Sequence, residues 1–196
     1  MSNLKLTHSK MNGRLVFFQE FLKHPLQIGS VSPSSRFLER RIVEAAGVAS
    51  AEVIIELGPG TGGVTRAILR AMLPQATLLS VEINPIFNKL INKIEDGRLI
   101  PHLGSASELK EIISKYDLAA PNAIVSGIPF STMSRSTGSQ IIESVSSLLS
   151  PKGRFVAYQV NNQVATLCQP FLGPGKTSTE LLNIPPMRIF QWVKST

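Results

Sequence analysis

The sequence predicts an α/β fold in which helices cover both faces of one mostly parallel sheet. Three observations lead there. Apolar, strand-like runs alternate with helical segments along most of the chain. The first run, Val53 to Leu57, opens into a turn rich in glycine, Gly58-Pro59-Gly60-Thr61-Gly62-Gly63. The second run, Ala76 to Ile83, carries an acid, Glu82, near its end.

In chain order, Met11, Leu15, Phe18 and Leu22 fall on one face of a helix that Phe17 and Phe21 widen, with Lys10, Arg14 and Lys23 on or beside the rest. A loop from Gly29 to Ser35 follows, and then a helix from Arg36 to Ala46 in which Ser34 or Ser35 serves as the N-cap. After the first strand, helices are expected over Val64 to Leu73, Pro85 to Ile94, Glu108 to Lys115, Ser139 to Leu149 and Val164 to Phe171. Further strands are expected over Leu99 to Leu103, Ala123 to Ser126, Arg154 to Val160, Leu181 to Ile184 and Ile189 to Val193, which makes seven in all. The Pro and Gly clusters at 170–175 and 185–186 read as loops, so residues 1–35 form an N-terminal helix with a covering loop and residues 36–196 form one domain.

At 196 residues the chain can bury a full core without disulfides or metals. Its single cysteine, Cys168, forms no internal bridge, and no Cys/His cluster has metal-ligand spacing, so no metal and an intracellular location are expected. No apolar run approaches the roughly 20 residues that span a bilayer, and the N-terminus lacks a signal-peptide pattern. Residues 1–41 hold seven basic against two acidic side chains and so supply +5 of the net +7. With the amphipathic face beside it, that surplus points to an anionic membrane surface. The phenylalanines cluster with Leu and Val and are not interleaved with Arg as a base-stacking surface would be.

The glycine turn lets backbone approach a ligand that a Cβ would exclude, and a carboxylate at Glu82 can accept both hydroxyls of a ribose. Gly58, Gly60 and Gly63 also satisfy the dinucleotide fingerprint, so a nicotinamide or flavin enzyme is the first competing reading. Glu56 weighs against it: a buried carboxylate there repels a pyrophosphate but suits the ammonium of a methionine moiety. The order Glu56-x-Gly58-x-Gly60-x-Gly62, then an acid closing the next strand, resembles motifs one and two of the class I methyltransferases. The cofactor this implies is S-adenosyl-L-methionine, held by Glu56, Gly58, Gly60, Thr61, Gly62, Glu82 and Ile83 in a Rossmann-like fold.

Against that family, Ser105 and Ala106 occupy the place of a Gly-Asp-Ala adenine contact, with the acid replaced by a hydroxyl that still accepts a hydrogen bond. Ser126-Gly127-Ile128-Pro129-Phe130 occupies the loop that faces the transferred methyl. Amine-directed relatives carry Asn or Asp at the place of Gly127 to clamp a planar amine, so a glycine there suits a tetrahedral amine on a flexible group. Phe130 is expected to offer its ring face to the ammonium.

Together with Phe17-Phe18-Gln19-Glu20-Phe21-Leu22-Lys23-His24-Pro25 and Gly29-Ser30-Val31-Ser32-Pro33-Ser34-Ser35, these motifs resemble the bacterial phospholipid N-methyltransferases. The resemblance implies stepwise methylation of phosphatidylethanolamine toward phosphatidylcholine by a peripheral enzyme on the inner face of the cytoplasmic membrane, with a monomer expected. Ribosomal RNA adenine dimethylases share the glycine loop and are the alternative. They carry Asn-Leu-Pro-Tyr at the pocket loop and append a helical RNA-binding domain, for which no residues remain after Thr196, so no nucleic-acid partner is expected. A cofactor-binding module without activity would need that loop blocked. For the lipid reaction, Tyr158 and His24 are the candidates to orient the amine or accept its proton. Arg188 and then Arg135 are the candidates for the headgroup phosphate, beside Pro129, and Ser30 and Ser32 for the methionine carboxylate.

Overall fold

The computed structural model describes residues 34–195. The expected amphipathic helix over Met11 to Leu22, together with His24, Ser30 and Ser32, lies outside the described residues. Seven strands form one sheet: β1 (Val53–Leu57), β2 (Thr77–Glu82), β3 (Leu99–Leu103), β4 (Ala123–Ser126), β5 (Arg154–Gln159), β6 (Lys176–Glu180) and β7 (Met187–Val193), in the order β3-β2-β1-β4-β5-β7-β6. All neighbours are parallel except β7, which runs antiparallel to both β5 and β6.

The central strands are apolar on both faces because helices cover both. Ile54, Leu78, Val125 and Val156 face a layer made by α1 (Arg36–Ala46), α2 (Gly63–Ala71) and α3 (Pro85–Ile91). Their chain neighbours Ile55, Leu79, Ile124 and Phe155 face α4 (Leu109–Lys115), α5 (Arg135–Leu148) and α6 (Gln163–Leu172). This is the two-residue side-chain period of a strand sorting one continuous apolar run into two cores.

Local chemistry sets the helix ends. Ser35 caps α1 by accepting from the Leu38 amide at 3.2 Å, and Gly47 ends it in the left-handed region at φ 66°. Asn84 caps α3 ahead of Pro85 at its first position. Helix α5 starts at Arg135, a turn before the expected Ser139, because Ser134 accepts from the Thr137 amide at 3.1 Å. The expected strand at Leu181 to Ile184 is a loop, and the strand lies just before it at Lys176–Glu180. The Lys-Thr-Ser-Thr-Glu run hides its strand character because β6 is a sheet edge whose first four residues are exposed. None of the described helices is long and apolar enough to cross a membrane.

Candidate active site

Strand order reverses between β1 and β4, where Leu57 and Ser126 are in register, so a crevice opens beyond their carboxyl ends. The backbone leaving β1 turns through Gly58, Gly60 and Gly62 at φ 74°, 56° and 82°, which only glycine adopts without strain. Space divides their roles. A Cβ on Gly62 would come within 2.9 Å of Arg66 and Ile91, and one on Gly58 within 3.3 Å of Ile128. A Cβ on Gly60 would meet nothing within 4 Å, so Gly60 presents bare backbone to the open side of the turn, with exposed Thr61 next to it. Helix α2 begins directly after Gly62 with no side-chain cap, which leaves its first amides for a ligand anion.

Two carboxylates back this turn. Glu82 is 5% exposed, and its oxygens accept from the Gly60 amide at 3.1 Å and the Asn84 amide at 2.8 Å. Burial raises its pKa against those hydrogen bonds. Glu56 is fully buried, and its Oε2 accepts from Thr65 Oγ1 at 2.7 Å and Ser80 Oγ at 2.9 Å. Its Oε1 has no hydrogen-bond partner among the described residues. Burial, opposed by the two hydroxyls, pushes the Glu56 pKa up to about 7. Glu56 is therefore poised to ionise when a cation arrives beside it.

Across the crevice, the pocket loop is tied down from two sides. Ser126 is buried and its hydroxyl accepts from the Ile128 amide at 3.3 Å, while Gln159, the last residue of β5, donates to the Ile128 carbonyl at 2.6 Å. Gly127 donates to the Leu57 carbonyl at 2.9 Å. A Cβ on Gly127 would overlap the Tyr158 hydroxyl and stand 2.8 Å from the Gly58 carbonyl oxygen. The phenol of β5 thus fills the space from which a side chain at 127 would emerge.

Tyr158 reaches the loop, and burial and the carboxylates of Glu56, Glu82 and Glu39 push its pKa well above the ordinary phenol value, so its hydroxyl holds its proton. One expectation changes here. Phe130 is 0% exposed and offers no face to an ammonium. It begins a 3-10 turn, and its side chain joins the core with Ile141 and Ile142 of α5 and Leu167 of α6. Pro129, half-buried, caps that turn by accepting from Thr132.

On the β2–β3 side, Ile83 is 48% exposed, an apolar surface just past Glu82. Ser105 accepts from the Ser107 amide and shares a hydrogen bond with its hydroxyl at 2.7 Å, opening the 3-10 turn that Ala106 begins. On the far side, Arg188 lies within β7, not between the last two strands as expected. Register places it opposite Gln159, and it donates to Asn162 Oδ1. Arg135 is exposed at the first position of α5. The reading of the sequence overlooked Thr65 and Ser80, which hold Glu56, and Gln159, which holds the pocket loop. Gln159 carries a recognisable signal, a polar residue closing an apolar strand as Glu82 does. Among the described residues no cluster of His, Cys, Asp and Glu could hold a metal ion.

No family model matches the chain. An ornithine lipid N-methyltransferase from Singulisphaera acidiphila is 28% identical over 147 residues, covering 74% of this chain and 77% of that protein. Ribosomal RNA small subunit methyltransferase A from Phenylobacterium zucineum is 33% identical over 97 residues, 47% of this chain and only 32% of that protein's length. Among solved structures, the N-methyltransferase NodS from Bradyrhizobium japonicum superposes with a TM-score of 0.68 at 9% identity, covering 82% of this chain and 96% of its own. The O-methyltransferase TomG from Streptomyces achromogenes, solved in complex with S-adenosylmethionine, gives 0.63 at 13% identity over 82% and 81% of the two chains. The chain has the Rossmann-like fold of the S-adenosylmethionine-dependent class I methyltransferases.

Proposed function

We propose that this protein transfers methyl groups from S-adenosylmethionine to the amine of a phospholipid headgroup, carrying phosphatidylethanolamine and its mono- and dimethyl forms toward phosphatidylcholine at a membrane surface. The observation that carries the reading is the pocket loop: position 127 has no side chain, and the Tyr158 hydroxyl stands in its place. One oxygen on a fixed ring can accept from an N–H of a primary or secondary amine without gripping a plane, and with no side chain at 127 nothing clamps the tertiary amine that has no N–H left, which suits a tetrahedral amine. The ornithine lipid N-methyltransferase among the relatives supports a lipid substrate in general.

The residues fit the cofactor. Bare backbone at Gly60, the open start of α2, the unpartnered Oε1 of Glu56 and the Glu82 carboxylate supply a close approach, an anion site, a cation partner and a hydroxyl acceptor. Ile83 adds an apolar surface for the base. When bound, the cofactor supplies an electrophilic methyl carbon on a cationic sulfur. The protein's own contribution is alignment: Gln159 and Ser126 fix the loop, and Tyr158 orients the amine lone pair. No protein base is needed, because a buried ammonium beside a second cation loses its proton more readily. Arg188, which donates to Asn162 just ahead of α6, is the residue that would take the headgroup phosphate in this reading.

Incubating the purified protein with S-adenosylmethionine and phosphatidylethanolamine vesicles, then weighing the lipids by mass spectrometry, tests this. Successive additions of one, two or three methyl groups are expected. Consumption of cofactor with unmodified lipid would overturn the substrate.

A further inference from the structure

The loop joining β6 to β7 inverts the usual arrangement of a surface turn. Its polar side chains are inside: Glu180 is 6% exposed and Asn183 4%. Its aliphatic side chains are outside: Leu181 is 72% exposed, Leu182 63% and Ile184 85%. The buried polar groups bind backbone. Glu180 accepts from the Leu182 amide at 2.8 Å, and Asn183 donates to the Pro185 carbonyl and accepts from the Ser35 amide, both at 2.8 Å. Arg41 clamps the base of the loop through the Thr179 carbonyl at 2.6 Å and Glu180 at 3.1 Å. The outward side chains are thus held in place by a built scaffold, and water is a poor partner for them.

The position of the loop selects the partner. Strand β7 is antiparallel to β5, so the loop stands at the carboxyl end of the parallel strands, the end on which the crevice opens. Exposed Ile83, Leu103 and Val160 close or follow β2, β3 and β5 at this same end. The Ser35–Asn183 hydrogen bond ties the start of α1 to the loop, adding Phe37, 56% exposed, with Arg36 and Arg40 beside it. Aliphatic tips beside exposed Arg36 and Arg40, the latter also paired with Glu44 at 2.7 Å, on a chain of net charge +7, complement an anionic bilayer: acyl chains for the tips, headgroup phosphates for the arginines.

We infer that the 181–184 loop is a membrane-inserting tip that seats the crevice mouth on an anionic phospholipid bilayer. The inference rests on the proposed lipid substrate for its orientation, but its test does not need turnover. Three measurements are made with vesicles of phosphatidylcholine and phosphatidylglycerol. The first is co-sedimentation of the full chain and of the triple variant Leu181→Ser, Leu182→Ser, Ile184→Ser, with S-adenosylmethionine affinity as the folding control. The second is fluorescence of Leu182→Cys carrying an environment-sensitive dye, which is selective because the native Cys168 is buried. The third is quenching of that dye by lipids brominated along the acyl chain. Partitioning of the triple variant is expected to fall at least about tenfold with cofactor affinity unchanged, and the dye to shift blue and be quenched. Equal partitioning of the variant overturns the inference. So does a dye already shielded before vesicles are added, which would mean that residues 1–33 or a second copy cover the loop. Insertion without lipid methylation would leave this inference standing and remove the proposed substrate, and methylation with full activity in the triple variant would do the reverse.

Discussion

The two sides of the crevice are built by different means. On the β1–β3 side, backbone does the shaping: three left-handed glycines expose a turn, and two buried carboxylates stand behind it. On the β4–β7 side, side chains from the neighbouring strand do it: Tyr158 fills the space beside Gly127, and Gln159 holds the Ile128 carbonyl. Substitutions on the first side should therefore change cofactor binding and stability together, whereas those on the second should change transfer to the amine while cofactor affinity holds.

The sharpest challenge to that division is Gly127→Asn. The new side chain collides with the Tyr158 hydroxyl and the Gly58 carbonyl, so both sides of the crevice must shift. Loss of at least about a hundredfold in kcat/KM is expected, with overpacking of roughly 1–3 kcal/mol visible in thermal unfolding. Gly60→Ala, by contrast, meets only conformational strain on the order of 1–2 kcal/mol, because its Cβ direction is open.

Next in size is Glu56→Gln. Because the Glu56 pKa is raised from 4.5 to about 7 on folding, the folded state binds the extra proton between those values. Its contribution to stability is full below about pH 4.5 and is lost as pH rises through about 7, a change on the order of 3 kcal/mol. The amide should remove that slope in denaturant unfolding. Cofactor binding runs the other way: if the ionised form meets the cation, affinity in the native protein falls about tenfold per pH unit below 7, and in Glu56→Gln it is weak and independent of pH. Calorimetric titration at pH 6 and pH 8 reads both.

A smaller effect is expected for Tyr158→Phe: kcat for the amine falls about tenfold while cofactor affinity and the pH profile of kcat stay put. A profile shifted by the substitution would mean that the phenol accepts a proton after all. Smallest is Arg188→Ala, which should raise the lipid KM several-fold and leave kcat near the parent value.

The first side was legible in the sequence and the second only in part, for a physical reason. A left-handed turn needs glycine and a ribose needs an acid, so Gly58, Gly60, Gly62 and Glu82 declare themselves locally. What Gly127 is for depends on Tyr158, 31 residues later, meeting it in space, and no local pattern records that. Phe130 shows the converse: an aromatic at the expected place turns inward and joins the core that α5 and α6 cover. A mostly parallel sheet covered on both faces followed from alternation alone, but edge strand β6 escaped notice because exposed Thr and Ser pair through backbone, and the adjacent Leu-Leu-Asn-Ile run, the more apolar of the two, looked more like a strand.

One tube decides between the amine of a lipid and the base of an RNA. The protein is given methyl-labelled S-adenosylmethionine with phosphatidylethanolamine vesicles and unmodified small-subunit ribosomal RNA together, and the two are separated and counted. The account predicts label in the lipid and none in the RNA; label in the RNA with none in the lipid would contradict it.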